Sequence, residues 1–284
     1  MVDGGSTDGS REILERHAHQ LHWWCSEKDN GQYHAINKGF EKTSGEIMGW
    51  LNSSDLYLPW TLPTVQEIFL KFPHIQWITS LRKLCIKENG AIEGVQKMPG
   101  FAGRCFYAGI HGGPKNSNFI QQETVFWRRS LWDQIGSQIP HRFRFAADFN
   151  LWGEFFQKDS VYGVDAALAA FRFHKDSRSA MDNYKMEVNE LLQEWKKNGY
   201  GKRVRLGFSV ISQTWKDGKS NWKINKFSGN ELIWAVNHFR INYELLDEKF
   251  DYKIFLWLTH FILKEFYFIV KLSYKISRLF LWPK

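Results

Sequence analysis

Two short acidic clusters could act on a phosphorylated ligand. The chain opens on an apolar pair that meets the polar run DGGSTDGS at residues 3–10. A carboxylate such as Asp3, placed where a strand ends, can accept hydrogen bonds from a nucleotide base or ribose, because open α/β sheets bind ligands outside the carboxyl ends of their strands. The same residues could simply turn the chain and cap a helix, a role that suits Asp8 and Ser10. The second cluster, Asn52-Ser53-Ser54-Asp55, follows the apolar run EIMGWL at residues 46–51. A carboxylate at the tip of a central strand can hold a divalent cation, whose preference for hard oxygen ligands suits it to bridging two phosphates. Asn, Ser and Asp ahead of a helix are also ordinary caps.

The elements around these clusters alternate. Leu14, Ala18 and Leu21 stripe a helix from Arg11 to about Gln20, a short strand follows over Leu21 to Cys25, and Ile36 and Phe40 mark a second helix from Gln32 to Lys42. The run 46–51 reads as a strand buried on both faces, Thr61 to Lys71 as a helix and Ile75 to Ser80 as a strand. An α/β class with a mainly parallel sheet flanked by helices follows. Residues 82–119 are Gly-rich and mixed, and are expected to form an irregular excursion near the site. Helices are expected at 130–135 and 149–156, and one or two strands at 161–173.

A longer helix is expected from Ser179, which forms an S-x-x-D capping box with Asp182. Met181, Tyr184, Val188, Leu191 and Trp195 line one face, and Asn198-Gly199 ends it. The basic stretch 199–229 reads as a linker. The expected organisation is therefore a core over 1–180, a helix and linker over 181–229, and a helical region over 230–284.

Composition bounds the partners. The formal charge is +8, from 38 basic and 30 acidic residues, so anions such as nucleotide diphosphates and lipid headgroups are attracted. Nucleic acid is a weak alternative, because the basic residues gather in the linker and tail and no recognition motif is present. The three cysteines, Cys25, Cys85 and Cys105, include no CxxC pair, which argues against a disulfide scaffold or a zinc site. With 14 Trp and 23 Phe the aromatic share reaches 17%, and only position can divide these rings among core, sugar platform and membrane interface. The polar opening lacks the pattern of a signal peptide, and a cytoplasmic enzyme is expected. In the tail 253–284, Lys264, Lys271, Lys275 and Arg278 share one helical face, which suits an in-plane amphipathic helix at the inner face of a membrane, or a helix packed on protein.

Taken in order, the motifs DGGSTDGS (3–10), EKDNGQYHAINKG (27–39), SGE (44–46), LNSSDLYLP (51–59), QQETVFWRR (121–129), FAADFNLW (145–152) and FRFH (171–174) resemble the family 2 glycosyltransferases over about residues 1–180. The resemblance implies a GT-A, Rossmann-like fold and transfer of a sugar from a nucleoside-diphosphate donor to a saccharide or lipid-linked acceptor. It implies that Asp3 hydrogen-bonds the nucleotide base, that Asn37 lines the donor pocket, and that Asn52 to Asp55 stand where a divalent cation (Mn²⁺ or Mg²⁺) is held, with His174 a further ligand. It places Asp148 where inverting members carry the catalytic base. Such transfer needs the leaving diphosphate stabilised and an acceptor hydroxyl deprotonated, for which one carboxylate suffices. Asp148 could also be the N-cap of its helix.

Two features depart from the family pattern. The usual first strand and helix with a Thr-Pro-x-Tyr-Asn segment are missing ahead of Asp3, and Ser54 stands where a second carboxylate is usual, which should weaken metal binding. A catalytically impaired carbohydrate- or nucleotide-binding relative is therefore the alternative function. For the tail, deleting Lys253 to Lys284 is expected to release the protein from anionic vesicles, and co-sedimentation measures it.

Overall fold

Successive side chains on a strand point to opposite faces of its sheet, and here the two faces meet different cores. The computed structural model describes residues 1–98, 100–112, 119–140, 142–173, 177–202, 204, 207–216 and 219–227. They belong to one compact unit, Met1–Asn230. The expected membrane helix at 253–284 lies outside the described residues. Among those described, no helix is long and apolar enough to cross a membrane.

The elements run β1 (Val2–Asp3), α1 (Ser10–His17), β2 (Cys25–Ser26), α2 (Gln32–Glu41), β3 (Ile47–Met48), β4 (Leu56–Tyr57), α3 (Thr61–Lys71), β5 (Trp77–Ser80), β6 (Arg82–Ile86), β7 (Ile92–Lys97) and α4 (Gly103–Tyr107). They continue with β8 (Phe126–Arg128), α5 (Arg129–Gln134), α6 (Ala147–Lys158), β9 (Tyr162–Val164), β10 (Ala169–Arg172), α7 (Ser177–Lys197), β11 (Phe208–Lys216) and β12 (Lys219–Phe227). The main sheet has the order β12-β11-β9-β5-β8-β3, a second has the order β4-β10-β6-β7, and β1 and β2 pair alone. Among the described residues four pairs are parallel (β1–β2, β5–β9, β9–β11, β6–β10) and five antiparallel, so the sheets are mixed where a mainly parallel one was expected. The result is a mixed α/β architecture flanked by helices.

On β5, Trp77 faces one core and Ile78 the other, and on β8 Trp127 and Phe126 divide the same way. The Trp77 side packs Phe40 of α2, Leu131 and Trp132 of α5, Trp152 and Phe155 of α6, and Val188, Leu191 and Trp195 of α7. The Ile78 side is covered by Val65, Ile68 and Phe69 of α3. Among the described residues, Trp50, Trp77, Trp127, Trp132, Trp152, Trp195 and Trp222 are core residues. Trp152 stacks between Trp50 (centroids 5.8 Å, 14° between planes) and Trp77 (6.0 Å, 21°).

Three regions differ from their sequence expectation. Of the run 46–51 only Ile47 and Met48 pair, antiparallel to β8 and at the edge of the sheet. Residues 82–119 contain the β6–β7 hairpin and α4. The hairpin is hard to see in sequence because every residue of β7 is exposed, which removes the alternation. The basic stretch 199–229 holds β11 and β12, whose buried Ile211 and Trp222 carry the strand signal while Lys223 and Lys226 face water and disguise it. The side chains of Ser179 and Met181 lie outside the described residues. The rest of the expected α7 face holds, with Val188, Leu191 and Trp195 all buried.

Helices α6 and α7 approach through Gly153, where an added Cβ would lie 2.4 Å from the Trp195 ring. Gly153→Ala is therefore expected to lower stability by about 1–3 kcal/mol, although alanine gains about 1 kcal/mol in helix propensity over glycine. Urea unfolding measures the net loss.

Candidate functional site

A cavity of about 980 Å³ opens where α2, the loop after β3, the 3-10 turn Gln122–Thr124, the start of α6 and α7 meet. Its walls include Tyr33, Trp50, Phe119, Phe145, Phe171 and Tyr184, with Asn52, Gln122, Glu123 and Asp148 as polar groups and Lys83, Lys87 and Arg144 as cations. Aromatic walls with a few convergent polar groups suit a sugar ring, which offers an apolar face and a polar rim.

Asp148 is in the first turn of α6 but does not cap it. The residue before the helix is Ala146, which makes no side-chain cap. Glu187 of α7 instead braces the segment that leads into the helix. Its carboxylate accepts the backbone N–H groups of Arg144 (3.1 Å), Phe145 (2.8 Å) and Ala146 (2.7 Å). Asp148 is left to face the cavity, held by the N–H of Phe149 at 2.7 Å. Burial pushes its carboxyl up to about 7, and the hydrogen bonds from Phe149 and the Tyr33 hydroxyl only partly oppose this. The Tyr33 hydroxyl also donates to the Phe145 carbonyl at 3.2 Å.

On the opposite wall, one amide positions the loop that carries Asn52 and Asp55. Gln122 donates to the Trp50 carbonyl at 2.7 Å and accepts from the Asn52 amide at 2.9 Å. Asn52 in turn accepts from Gln32 at 2.7 Å and reaches Asp55 at 3.3 Å. Asp55 is buried behind the lining, and its other oxygen accepts the N–H of Arg172 at 3.1 Å. The Arg172 guanidinium donates to the carbonyls of Ser54 (2.9 Å), Lys87 (3.3 Å) and Glu88 (3.0 Å), tying the loop to the β6–β7 turn.

These contacts bear on the metal reading. Both oxygens of Asp55 are engaged by protein donors, and among the described residues no three His, Cys, Asp or Glu side chains converge. The described donors, one engaged carboxylate beside Ser54, therefore do not fit a divalent cation. His174, the other expected ligand, lies outside the described residues.

The remaining expected residues sit apart from the cavity. Asp3 is half-buried at the end of β1 and does not line it. Its carboxylate accepts from the Ser26 hydroxyl (2.6 Å), the Ser6 hydroxyl (2.5 Å) and the N–H groups of Ser6 (3.0 Å) and Gly5 (3.2 Å). The hydroxyls of Ser26 and Ser6 hold it down at about 2. Asn37 is buried and spent on Ile139, donating to its carbonyl and accepting its N–H, each at 2.9 Å. It braces α2 against that backbone and does not line the cavity. The structure thus brings Asn52, Asp55 and Asp148 together, and leaves Asp3 and Asn37 elsewhere.

Glu123 was visible in the sequence only as part of QQETVFWRR. It is 3% exposed and its Oε1 has no hydrogen-bond partner. Burial, reinforced by the nearby charge of Asp55, pushes its carboxyl up to about 8.

Residues 1–135 match the family described as Glycosyl transferase family 2. An uncharacterized glycosyltransferase of Rickettsia felis is 26% identical over 263 residues, which cover 89% of this chain and 37% of that protein. One of Nostoc sp., alr2836, is 33% identical over 76 residues, 24% of this chain and 22% of its own length. The chain thus spans well under half the length of these curated relatives. Among solved structures, that of S. aureus TarS 1-349 in complex with UDP-GlcNAc has a TM-score of 0.50 at 18% identity, covering 67% of this chain and 55% of that one. The likeness is one of fold, and the fold is GT-A.

The two raised carboxyls predict a pH dependence of stability. Unfolded, Asp and Glu ionise near pH 4, so from there up to about 7 or 8 the folded chain keeps protons that the unfolded chain releases. Stability contributed in acid is lost as pH rises through that window, by up to about 1.4 kcal/mol per pH unit for each group. Buried His111, held down at about 3, opposes this below its unfolded value of 6.5. The difference between wild type and Glu123→Gln isolates one carboxyl: urea unfolding across pH 5–8 should show the variant losing less stability with rising pH.

Proposed function

Because residues 1–135 match glycosyl transferase family 2, we propose that this chain belongs to that family and moves a sugar from a nucleoside-diphosphate donor to a saccharide or lipid-linked acceptor, inverting the anomeric centre, with Asp148 as general base. The observation that carries the reading is that Asp148 lines one cavity with Asn52, behind which Asp55 lies.

In this reading the acceptor hydroxyl lies against Asp148, which takes its proton as the oxygen attacks the anomeric carbon and the bond to the diphosphate breaks. A base whose proton affinity is poised near neutrality suits such a transfer. Lys83, Lys87 and Arg144 line the same cavity and form no ion pair among the described residues. They are placed to meet the negative charge that builds on the leaving group. The aromatic walls hold the sugar and keep water from competing as acceptor. Asp3, at the tip of β1 and held as a carboxylate, is the side chain we assign to the nucleotide base. The tail 253–284, with its one-sided cations, is where contact with an anionic membrane and a lipid-linked acceptor is placed.

UDP-GlcNAc, the ligand in the TarS complex, is the first donor to test. Asp148→Asn is expected to bind donor as wild type does in calorimetry while transfer falls about 10²–10⁴-fold. The wild-type rate should rise with pH through about 7, where Asp148 loses its proton. Undiminished transfer by Asp148→Asn would remove the base assignment. Donor binding by the wild type without turnover, with or without Mn²⁺, would favour a binding-only relative.

A further inference from the structure

The 3-10 turn Gln122–Thr124 puts three polar side chains in a row, and two of them are spent on the protein. Gln122 bridges Trp50 and Asn52. The Thr124 hydroxyl donates to the Gln121 carbonyl at 2.9 Å and meets the Thr79 hydroxyl at 2.9 Å and the Ser80 N–H at 3.3 Å. Glu123, between them, lines the cavity and leaves Oε1 without a partner. The one cation beside it, Lys83, forms no ion pair and lies over the Phe119 ring at 4.6 Å. A buried polar group without a partner is costly and uncommon in native proteins. It is therefore a poor structural device and a good site for a donor brought by a ligand.

Its position says which part of the ligand. Glu123 is close enough to both Asp55 and Asp148 to sense their charges. In the proposed transfer, the sugar being moved must lie between the leaving diphosphate and the acceptor hydroxyl at Asp148, within the cavity that Glu123 lines. Resting on that reading, we infer that Glu123 recognises the transferred sugar, its carboxyl accepting a hydrogen bond from a ring hydroxyl. Glu123 is then a specificity residue for the donor, and a site built around such a hydrogen bond discriminates against sugars that lack the hydroxyl.

The test separates the sugar from the nucleotide. Calorimetry on wild type, Glu123→Ala and Glu123→Gln is run with UDP-, GDP- and dTDP-hexoses and with the parent diphosphates. The extra affinity of a nucleotide sugar over its diphosphate reports the sugar contacts alone. Glu123→Ala should bind the diphosphate as wild type does and lose about tenfold in the sugar's increment, one hydrogen bond's worth. Glu123→Gln, which keeps the shape and an acceptor oxygen, should lose less and, above pH 8, where the wild-type carboxyl is driven to ionise, should melt higher than wild type without ligand. An unchanged sugar increment in Glu123→Ala overturns the assignment, and so does a lower melting temperature in Glu123→Gln at that pH, which would mark a structural role. If no nucleoside diphosphate binds the wild type, the proposed function itself falls and this inference with it.

Discussion

One amide fixes the geometry on which the cavity depends. Gln122 holds the Trp50 carbonyl and the Asn52 side chain at once, while the Trp50 ring stacks on Trp152, one helical turn beyond Asp148 on α6. The loop and Asp148 therefore share a rigid chain of contacts: Asn52 to Gln122, Gln122 to Trp50, Trp50 to Trp152 and, along α6, Trp152 to Asp148. Close-packed rings in a core have few alternative arrangements. The separation between the two walls is thus set by the aromatic core, and the unusual aromatic content has a positional purpose.

Against that rigid background the site keeps polar groups that the fold does not satisfy. Asp148 and Glu123 are buried carboxyls that tend to hold protons, and Lys83, Lys87 and Arg144 have no ion-pair partner among the described residues. Elsewhere charges are answered locally: Arg82 meets Asp165 at 2.6 Å, and Arg142 meets Glu190 and Glu194 at 2.9 and 2.6 Å. Departures from local satisfaction gather where function needs them. The contrast within one chain is what sets the cavity apart from the rest of the surface.

Much of this was legible in the sequence. Helices α2, α3 and α7 carry clear apolar stripes, and the ordered motifs identified the fold and brought Asp148 forward. What stayed hidden depends on partners far along the chain. Nothing near Asn37 announces that Ile139 will use up its amide. Nothing near Asp148 announces that a glutamate 39 residues later will brace the segment leading into its helix. β7 pairs without a buried face, so periodicity could not reveal it, and the lysines of β12 disguised its strand as a linker. Glu123 drew notice only as half of a Gln-Glu pair, because the sequence shows which residues are polar and not which of them remain unpaired.

The brace supplied by Glu187 has a bearing on how this protein could be recombined. The helix that bears Asp148 and the residue that anchors the segment leading into it come from opposite sides of the FRFH motif. A chimera joined near residue 175 would marry one parent's α6 to another's α7. Asp148 would keep its identity and lose its bearing, unless the incoming segment also brought a carboxylate to the same spot.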